Sequence, residues 1–486
     1  MRSDRARSIA AAALIVAAAA FHFLTLRPVR IWRDDSCLYI LHARNIAQGT
    51  PYGDTGFLYD RSDAVYSPRT YPPGLPLLLA PIIRWAGINL EAMRLETLLF
   101  LPLALWMIFL LVRRDLPFRY AAALIAMMGF SPWISELLDS IWSELPFLFF
   151  VYLALYAARR ADDAAASGGH SMPWTLLAGV AVCLACATRV LGVFLVPALW
   201  LGDFASHRRP TRSTLGVTLM CLLWMFLQTL LFGRDTSYFD MVAGWSPRII
   251  LSHWTYVREF DSFWGNGHAN PAPRLLGLVF LGFAAWGYLA RLGERRVTAL
   301  EAFLPLYALI LSIWPPAPIW RYLLPVMPLV LFYSFRGVER IGALGRRRTE
   351  RTVFAVLVAA VSLSFAVRYP TLHAGSPVET LSGPTVTAFF AFMREKTRPD
   401  DVFVFIKPRA LTLHTGRRAA LCHELHSDSE LWDLFRQIAA THVVLGLRDD
   451  PLLSGLVERH ANRFEPVFSN ADFRVYQIRA PAPPDA

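Results

Sequence analysis

The amino-acid sequence predicts an α-helical membrane protein with a small α/β domain at its C-terminal end. Of its 486 residues, 55% are hydrophobic and only 17% are charged, whereas about a quarter of the residues of a water-soluble globular protein are charged. Long apolar stretches recur along the first part of the chain. In about the last hundred residues they give way to shorter runs with helix-like and strand-like periodicity.

The apolar stretches predict about eleven membrane spans, because a helix that crosses the hydrocarbon core needs roughly 20 apolar residues. Several stretches are shorter, so we expect helices that tilt or extend past the apolar core. The first stretch follows a basic N-terminus, and we interpret it as an uncleaved span rather than a signal peptide. The stretches cover residues 8–26, 95–112, 120–134, 141–158, 173–188, 190–205, 214–232, 275–290, 298–314, 318–335 and 352–367.

Arginine clusters indicate the orientation of these spans. They occur in every second loop, and basic loops stay on the cytoplasmic side of a membrane. The net charge of +11 is therefore a topology signal, and we predict no nucleic-acid partner. The pattern places the N-terminus in the cytoplasm. The segments it places outside are 27–94, 135–140, the tip near Arg189, 233–274, 315–317 and all residues after 368.

The C-terminal segment, residues 371–486, is predicted to form an extracytoplasmic α/β domain, distinct from a membrane domain of residues 1–370. Its strands are short apolar runs such as VFVFIK, and one of its helices begins behind Ser427. The predicted helices cover 384–397, 428–440 and 451–463, and the predicted strands cover 402–407, 441–447 and 473–479.

Two adjacent carboxylates, Asp34 and Asp35, follow the first span. Ionisable groups so close to a membrane call for an explanation. The residues after them predict a helix that is started by an Asp or Ser cap and ends at Gly49, so both carboxylates lie at its N-terminus. The helix dipole favours an ionised carboxylate there, which suits a proton acceptor. Ordinary capping explains the same pattern.

A proline-rich motif that begins at Tyr71, YPPG, leads into an amphipathic apolar stretch. Because the prolines make this stretch a poor span, we expect it to lie along the membrane surface. There it would shape a cleft for a long lipid chain or act as a structural collar.

The order of these segments resembles the GT-C superfamily of glycosyltransferases that use polyprenyl-phosphate sugars. That superfamily includes the protein O-mannosyltransferases and the aminoarabinose transferase that acts on lipid A. The resemblance covers essentially the whole chain, and it rests on the order of WRDDSCLYILHARNIAQGTPYG, YPPGLPLLLAPI, SELLDSIWSELPFLFF and ATRVLGVFLVPALW. The acidic pair of the family is often Asp-Glu, and here it is Asp34-Asp35.

The resemblance implies a multi-pass enzyme of the bacterial cytoplasmic membrane. Such an enzyme moves a sugar, usually with inversion, from a polyprenyl-phosphate carrier to a hydroxyl of an envelope glycan, lipid or protein on the outer face. Asp34 matches the first acidic position of the family and is the expected base, and Asp35 is the support or the alternate base. General-base help is worth about 10²- to 10⁴-fold in rate.

The departing phosphate needs positive charge, which an arginine fork supplies through two parallel hydrogen bonds. Arg189 and Arg321 match Arg-containing segments of the family at the outer ends of spans. The alternative is that they only mark the membrane interface. Glu144 is expected to contact the acceptor or the sugar, with structural hydrogen bonding as its alternative. The other predicted substrate-binding residues are Tyr39, Arg44, Tyr71 and Tyr322.

Two groups of residues could bind a divalent cation. One is the CHELH cluster at 422–426, whose spacing fits no standard zinc pattern. The other consists of Asp34, Asp35 and His42. We predict no essential metal or other cofactor.

The cysteines inside apolar stretches are predicted to be packing residues. Cys183 and Cys186 lie inside an apolar stretch, where a thiol packs as a small hydrophobe. Cys37 and Cys422 fall on the same predicted side of the membrane and could pair, which spacing alone does not establish.

Two other classes of function are compatible with a multispan chain: a transporter or flippase, and an inactive scaffold of envelope glycan assembly. A transporter places its charges within the spans and often has two similar halves. This chain instead keeps its carboxylates in outer loops and adds an outer domain. The acidic and arginine residues at the family's positions argue against the scaffold.

Overall fold

The structure is a computed structural model that describes residues 2–58, 69, 71–233, 254–265, 271–294, 297–313, 319–372, 377–422, 425–447 and 450–479. Most of these residues are helical. The helices are, in chain order, α1 (Arg2–Leu24), α2 (Asp34–Gln48), α3 (Gly74–Ala86), α4 (Leu90–Val112), α5 (Phe118–Gly129), α6 (Pro132–Leu137), α7 (Glu144–Ala166), α8 (Met172–Thr188), α9 (Leu195–His207), α10 (Arg212–Phe232), α11 (Trp254–Trp264), α12 (Pro271–Gly293), α13 (Ala299–Ser312), α14 (Met327–Ala343), α15 (Arg347–Leu372), α16 (Pro384–Glu395), α17 (Pro408–Thr415), α18 (Asp428–Ile438) and α19 (Pro451–Arg459).

Six helical segments among the described residues are long and apolar enough to cross a membrane: Asp4–Leu24, Leu90–Val112, Val190–His207, Arg212–Phe232, Pro271–Gly293 and Arg347–Leu372. Their leucines face outward in several places; Leu219 and Leu230 of α10, for example, are 68% and 69% exposed. A helix with so much exposed apolar surface is suited to lipid rather than water. The prediction of a multi-pass helical membrane protein is confirmed at this level, and each predicted apolar stretch contains a helix.

Residues 1–27, 94–231 and 242–374 form one compact unit, here called the helical unit. Small residues let its helices approach closely. A Cβ atom on Gly287 of α12 would lie only 2.0 Å from the carbonyl oxygen of Tyr333 on α14. A Cβ atom on Gly337 would likewise lie 2.2 Å from the carbonyl oxygen of Phe283. Glycine at both positions therefore allows the two backbones to touch, as is common between membrane helices.

A network of buried ion pairs joins several helices of the helical unit. Asp115, in the turn between α4 and α5, accepts hydrogen bonds from Arg159 at 2.7 Å and from Arg291 at 3.2 Å. Arg291 also contacts Glu301, which is fully buried and accepts a hydrogen bond from the hydroxyl of Tyr333. Because each buried charge has an opposite partner, the network avoids the cost of an isolated charge in an apolar interior.

Residues 28–93, 232–241 and 375–486 form the second compact unit, here called the sheet unit. Its mixed sheet contains β1 (Phe57–Leu58), β2 (Val402–Val404), β3 (Arg418–Ala420), β4 (His442–Gly446), β5 (Phe464–Ser469) and β6 (Phe473–Ile478) in the order β1-β3-β2-β4-β6-β5. The four strands β1, β3, β2 and β4 are parallel to one another. Strand β6 runs antiparallel to both of its neighbours, β4 and β5.

The sheet unit combines two segments that are far apart in the sequence. Strand β1 lies in the predicted first outer loop, and it pairs in parallel with β3 of the C-terminal segment. The sequence analysis assigned residues 27–94 to the membrane domain, whereas in the structure residues 28–93 share a compact unit with residues 375–486. A two-residue strand has too little periodicity to reveal such a pairing in the sequence.

Candidate functional site

The acidic pair lies in the first turn of α2, as predicted. The predicted Asp or Ser cap is wrong, because the N-cap residue is Arg33, which is extended and makes no side-chain capping bond. Helix α2 ends at Gly49, whose φ of 70° lies in the left-handed region that favours glycine. The carboxylates therefore lie at the positive end of the helix dipole without being its cap.

Asp34 is bound to the start of α17. The backbone N–H of Ala410 donates a hydrogen bond to Asp34 Oδ1 at 3.3 Å. Asp34 is half-buried, and burial raises its pKa to about 6, although Lys407 and Arg409 act in the opposite direction. A carboxylate with this pKa is ionised at neutral pH and holds a proton more readily than an ordinary aspartate.

Asp35 belongs to a hydrogen-bonded group with Tyr71 and Arg409. The hydroxyl of Tyr71 donates to Asp35 Oδ1 at 2.7 Å, and Arg409 lies 3.8 Å from the same oxygen. Arg409 also donates to the hydroxyl oxygen of Tyr71 at 3.3 Å. These contacts fix the orientation of the Asp35 carboxylate.

Arg409 is the main site residue that the sequence analysis missed. It is only 2% exposed, and its guanidinium lies over the ring of Phe57 at 4.9 Å from the ring centroid. Burial lowers its pKa, but Tyr71 and the two carboxylates outweigh that effect and raise it. The available signal was a basic pair, Lys407 and Arg409, on either side of the proline that opens a helix just after a buried strand.

Three of the predicted substrate-binding residues belong to the sheet unit, and two of these lie at the acidic pair. The rings of Tyr39 and Tyr71 lie 4.9 Å apart, and Tyr71 contacts Asp35 directly. Arg44 is ten positions after Asp34 on α2, about 15 Å along the helix axis at 1.5 Å per residue. Burial lowers the pKa of Arg44, and the nearby carboxylate of Asp54 opposes that effect.

His42 is fully buried beside the loop that follows α2. Its Nδ1 lies 2.8 Å from the carbonyl oxygen of Tyr52, and the two rings stack with centroids 3.9 Å apart. Burial lowers the pKa of His42 to about 3, so the imidazole is neutral. Within the described ranges no group of three or more His, Cys, Asp or Glu side chains could hold a metal ion. His423 and Glu424 of the CHELH cluster lie outside those ranges.

The described cysteines are free in the structure. Cys37 and Cys422 are both buried, and Cys186 lies 3.7 Å from Cys221. The thiol pair within the helices is consistent with the packing role expected for Cys183 and Cys186.

The helical unit contains a second charged group, formed by Glu144, Arg189 and Arg321. Glu144 is 2% exposed, and its Oε1 accepts hydrogen bonds from Arg189 at 2.7 Å and from Arg321 at 3.0 Å. The sequence analysis named these three residues separately, and the structure brings them together. Two guanidiniums share one carboxylate, so the group carries one net positive charge.

Backbone turns and aromatic rings position the two arginines. Arg189 is the extended residue that ends α8, and it also donates to the hydroxyl of Ser143 at 3.1 Å. Arg321 lies in the short 3-10 turn Trp320–Leu323. Arg189 lies over the ring of Tyr322 at 5.1 Å, and Arg321 lies over the ring of Trp142 at 3.8 Å. The side chains of Arg189 and Arg321 are only about 15% exposed, so water would screen their attraction for an anion weakly.

No family model matches the chain, and no curated protein sequence matches it significantly. Solved membrane-protein structures do match it. ArnT from Cupriavidus metallidurans bound to undecaprenyl phosphate is 14% identical, with 97% of this chain and 99% of that chain covered and a TM-score of 0.58. AglB from Archaeoglobus fulgidus in complex with an inhibitory peptide and a dolichol-phosphate is 14% identical, with 89% and 69% covered and a TM-score of 0.53.

The oligosaccharyltransferase of Archaeoglobus fulgidus in complex with Zn and sulfate is 12% identical, with 96% of this chain and 73% of that chain covered and a TM-score of 0.58. At such low identity, similarity is a statement about the fold. The chain has the GT-C fold that these structures share, as the order of its sequence segments indicated.

Proposed function

We propose that the chain is a membrane glycosyltransferase that moves a sugar from a polyprenyl-phosphate carrier to an acceptor hydroxyl on the outer face of the bacterial cytoplasmic membrane. The observation that carries this proposal is Asp34, a half-buried carboxylate with a pKa of about 6 at the start of a helix. Two structures with the same fold support the donor class, since ArnT is bound to undecaprenyl phosphate and AglB is in complex with a dolichol-phosphate.

The proposed topology follows the arginine pattern. About eleven spans cross the membrane, with the N-terminus in the cytoplasm and the acidic pair and the C-terminal α/β domain, residues 371–486, on the outer side. Helix α3 is assigned to the membrane surface. Two of its apolar side chains are available to the lipid, because Leu77 is 41% exposed and Trp85 is 84% exposed.

In the proposed reaction, the acceptor hydroxyl oxygen attacks the anomeric carbon while its proton passes to Asp34. The bond between the anomeric carbon and the phosphate oxygen breaks, its electron pair stays with the phosphate, and the sugar is inverted. We assign the base to Asp34 rather than Asp35 because burial raises the pKa of Asp34 to about 6, whereas one oxygen of Asp35 already accepts a hydrogen bond from the hydroxyl of Tyr71.

We assign the phosphate of the donor to Arg189 and Arg321. Their net positive charge and low exposure suit an anion whose negative charge grows as the sugar leaves. Glu144 is assigned a positioning role, since its carboxylate holds both guanidiniums. Tyr39 and Tyr71 are assigned to the sugar pocket, and Tyr322 supports Arg189.

We propose that no divalent cation is essential. The acidic pair already has protein partners that offset its charge, namely the Ala410 N–H, Lys407 and Arg409. One structure with the same fold is a complex with Zn, so metal dependence is tested directly. If the proposal is correct, treatment of the purified protein with EDTA leaves transfer unchanged.

The proposed activity is tested by mass spectrometry of envelope glycans and lipids from cells that lack the protein, complemented with the wild type or with Asp34→Asn. We expect a species that loses one sugar-sized mass increment in the deletion strain and regains it only with the wild type. The identity of that species names the acceptor. If Asp34→Asn restored every species, the transferase assignment would fail, and the transporter or scaffold would be the better explanation.

A further inference from the structure

We infer that a cavity at the carboxyl end of strand β4 is the acceptor subsite and binds a neutral, hydroxyl-rich saccharide. The inference rests on the proposed function, for which it names the acceptor class. The cavity has a volume of about 500 Å³, within the range of about 300–1,000 Å³ typical of small-molecule sites. Its lining includes Val378, Leu447, Asn470, Asp472, Phe473 and Arg474.

The cavity lies on the same edge of the sheet as the partner of Asp34. Strands β2 and β4 are parallel neighbours, and ligands of such sheets bind beyond the carboxyl ends of the strands. The chain after β2 leads to Ala410, whose N–H binds Asp34. Gly446, the last residue of β4, and Leu447, which follows it, line the cavity. The two segments therefore leave the sheet from neighbouring strands, which lie about 4.8 Å apart.

Trp32 connects the cavity to the acidic pair along the chain as well. Its ring packs on Phe473 with centroids 5.6 Å apart, and its indole N–H donates to the carbonyl oxygen of Val378 at 2.7 Å. Both of these residues line the cavity. Trp32 precedes Asp34 by two positions, so their Cα atoms are at most about 7 Å apart. The segment that carries the base therefore also supports the wall of the cavity.

The polar part of the lining is rigid and electrically balanced. Asn470 Oδ1 accepts hydrogen bonds from the backbone N–H groups of Asp472 at 3.0 Å and Phe473 at 2.8 Å. Asp472 in turn accepts a hydrogen bond from the hydroxyl of Thr385 at 2.5 Å. Among the described lining residues, one carboxylate, Asp472, and one guanidinium, Arg474, balance each other in charge. This balance favours neutral hydroxyl groups over a phosphate or a carboxylate ligand.

The backbone and apolar part of the lining fit the same ligand. Leu447 has a φ of 69°, a left-handed conformation that a residue with a branched side chain adopts only when its surroundings impose it. Such strain is concentrated at ligand sites. Leu447 and Val378 add apolar surface beside the charged groups. A pyranose ring has hydroxyl groups at its rim and C–H groups on its faces, so it matches a lining of this mixed character.

The test is saturation-transfer NMR of the full-length protein in lauryldimethylamine oxide, a detergent without a sugar head group. The probes are methyl glucoside, methyl mannoside and methyl N-acetylglucosaminide. Ala471→Trp fills the cavity, because Ala471 is an exposed residue of its lining. Ala461→Trp is the matched control, since Ala461 is also exposed, belongs to the same unit and is not among the residues that line the cavity. Arg474→Ala is a second variant that keeps the cavity open.

We expect the wild type and Ala461→Trp to give a signal with at least one glycoside. Ala471→Trp and Arg474→Ala are expected to reduce that signal at least about five-fold, because they remove the space and the charged donor. Absence of a signal in the wild type, or an equal signal in Ala471→Trp, would overturn the inference. The measurement uses no donor. A negative binding result therefore argues against the subsite but does not contradict the transferase proposal. Conversely, a measured binding signal stays valid even if the transferase proposal fails.

Discussion

The guanidinium of Arg409 lies 3.8 Å from the carboxylate of Asp35, although the two residues come from opposite ends of the chain. Arg409 also donates to the hydroxyl of Tyr71, which donates to the same carboxylate. The ionisation of the acidic pair thus depends on the C-terminal segment as well as on the loop that contains the pair. A truncation of the C-terminal segment would remove this support.

Replacement of Arg409 should change the pH dependence of transfer. Arg409 lowers the pKa of Asp34, so Arg409→Met should raise that pKa above its present value of about 6. A base must be deprotonated to act, and the fall in rate on the acid side should therefore begin at a higher pH. Arg409→Lys keeps the charge and should shift the profile less. Equal profiles for the wild type and Arg409→Met would exclude this positioning role.

Removal of the Asp34 charge should make the protein more stable at neutral pH. Burial raises the pKa of Asp34 from 3.8 to about 6, so the folded state binds the proton more tightly than the unfolded state. This contribution favours folding below pH 4 and is lost as the pH rises through 6. Asp34→Asn should then raise stability at pH 7 by on the order of 1 kcal/mol, allowing for its partial exposure. Thermal unfolding at pH 7 and pH 4 checks this, with the difference expected to shrink at pH 4.

Loss of Arg321 should weaken use of the donor more than use of the acceptor. A hydrogen bond to a charged group is worth about 1.5–3 kcal/mol, so Arg321→Ala should raise the KM for the donor by at least about ten-fold. Arg189→Ala should behave in the same way. Steady-state kinetics with each substrate varied in turn separate the two effects.

Arg7→Ala is a suitable control for the arginine variants. Arg7 belongs to the same unit and pairs with Asp4 at 3.5 Å, and the two side chains are 57% and 75% exposed. An exposed ion pair contributes little, so we expect kinetics close to the wild type. If Arg7→Ala and Arg321→Ala gave the same donor KM, the phosphate assignment would lose its support.

Neutralisation of Asp115 should destabilise the helical unit. Asp115→Asn leaves the buried cation of Arg291, which is 4% exposed, with one carboxylate instead of two, and it also removes the partner of Arg159. Breaking a buried ion pair costs about 3–5 kcal/mol. A lower unfolding temperature in detergent is the expected result. Asp4→Asn, at an exposed pair with Arg7, should leave that temperature unchanged.

The helical part of the fold follows from the sequence because apolar length is a strong signal. The stretch 173–188 corresponds to α8, Met172–Thr188, and 214–232 corresponds to α10, Arg212–Phe232. The helix after the acidic pair was also predicted, since its end is marked by Gly49. Helix α17 and strand β3 were missed, because segments of eight and three residues have too few periodic positions to identify.

The candidate site was predicted in part. Asp34, Arg189 and Arg321 were recognised from their positions in the chain, but their partners depend on tertiary contacts. Arg409 lies beside Asp35 only because β3 pairs with both β1 and β2, which joins the first loop to the C-terminal segment. Arg44 lies about 15 Å from Asp34 along the axis of α2, and its role in substrate binding stays a prediction.

The most direct test of the central claim is the rate of sugar transfer with Asp34 changed. Membranes of the deletion strain supply donor and acceptor, and purified wild type, Asp34→Asn or Asp34→Glu is added while the sugar increment is followed by mass spectrometry. The account predicts a fall of at least about 10²-fold for Asp34→Asn, with partial recovery for Asp34→Glu and no loss of folding in either variant. Transfer by folded Asp34→Asn at nearly the wild-type rate would contradict the role of Asp34 as the base.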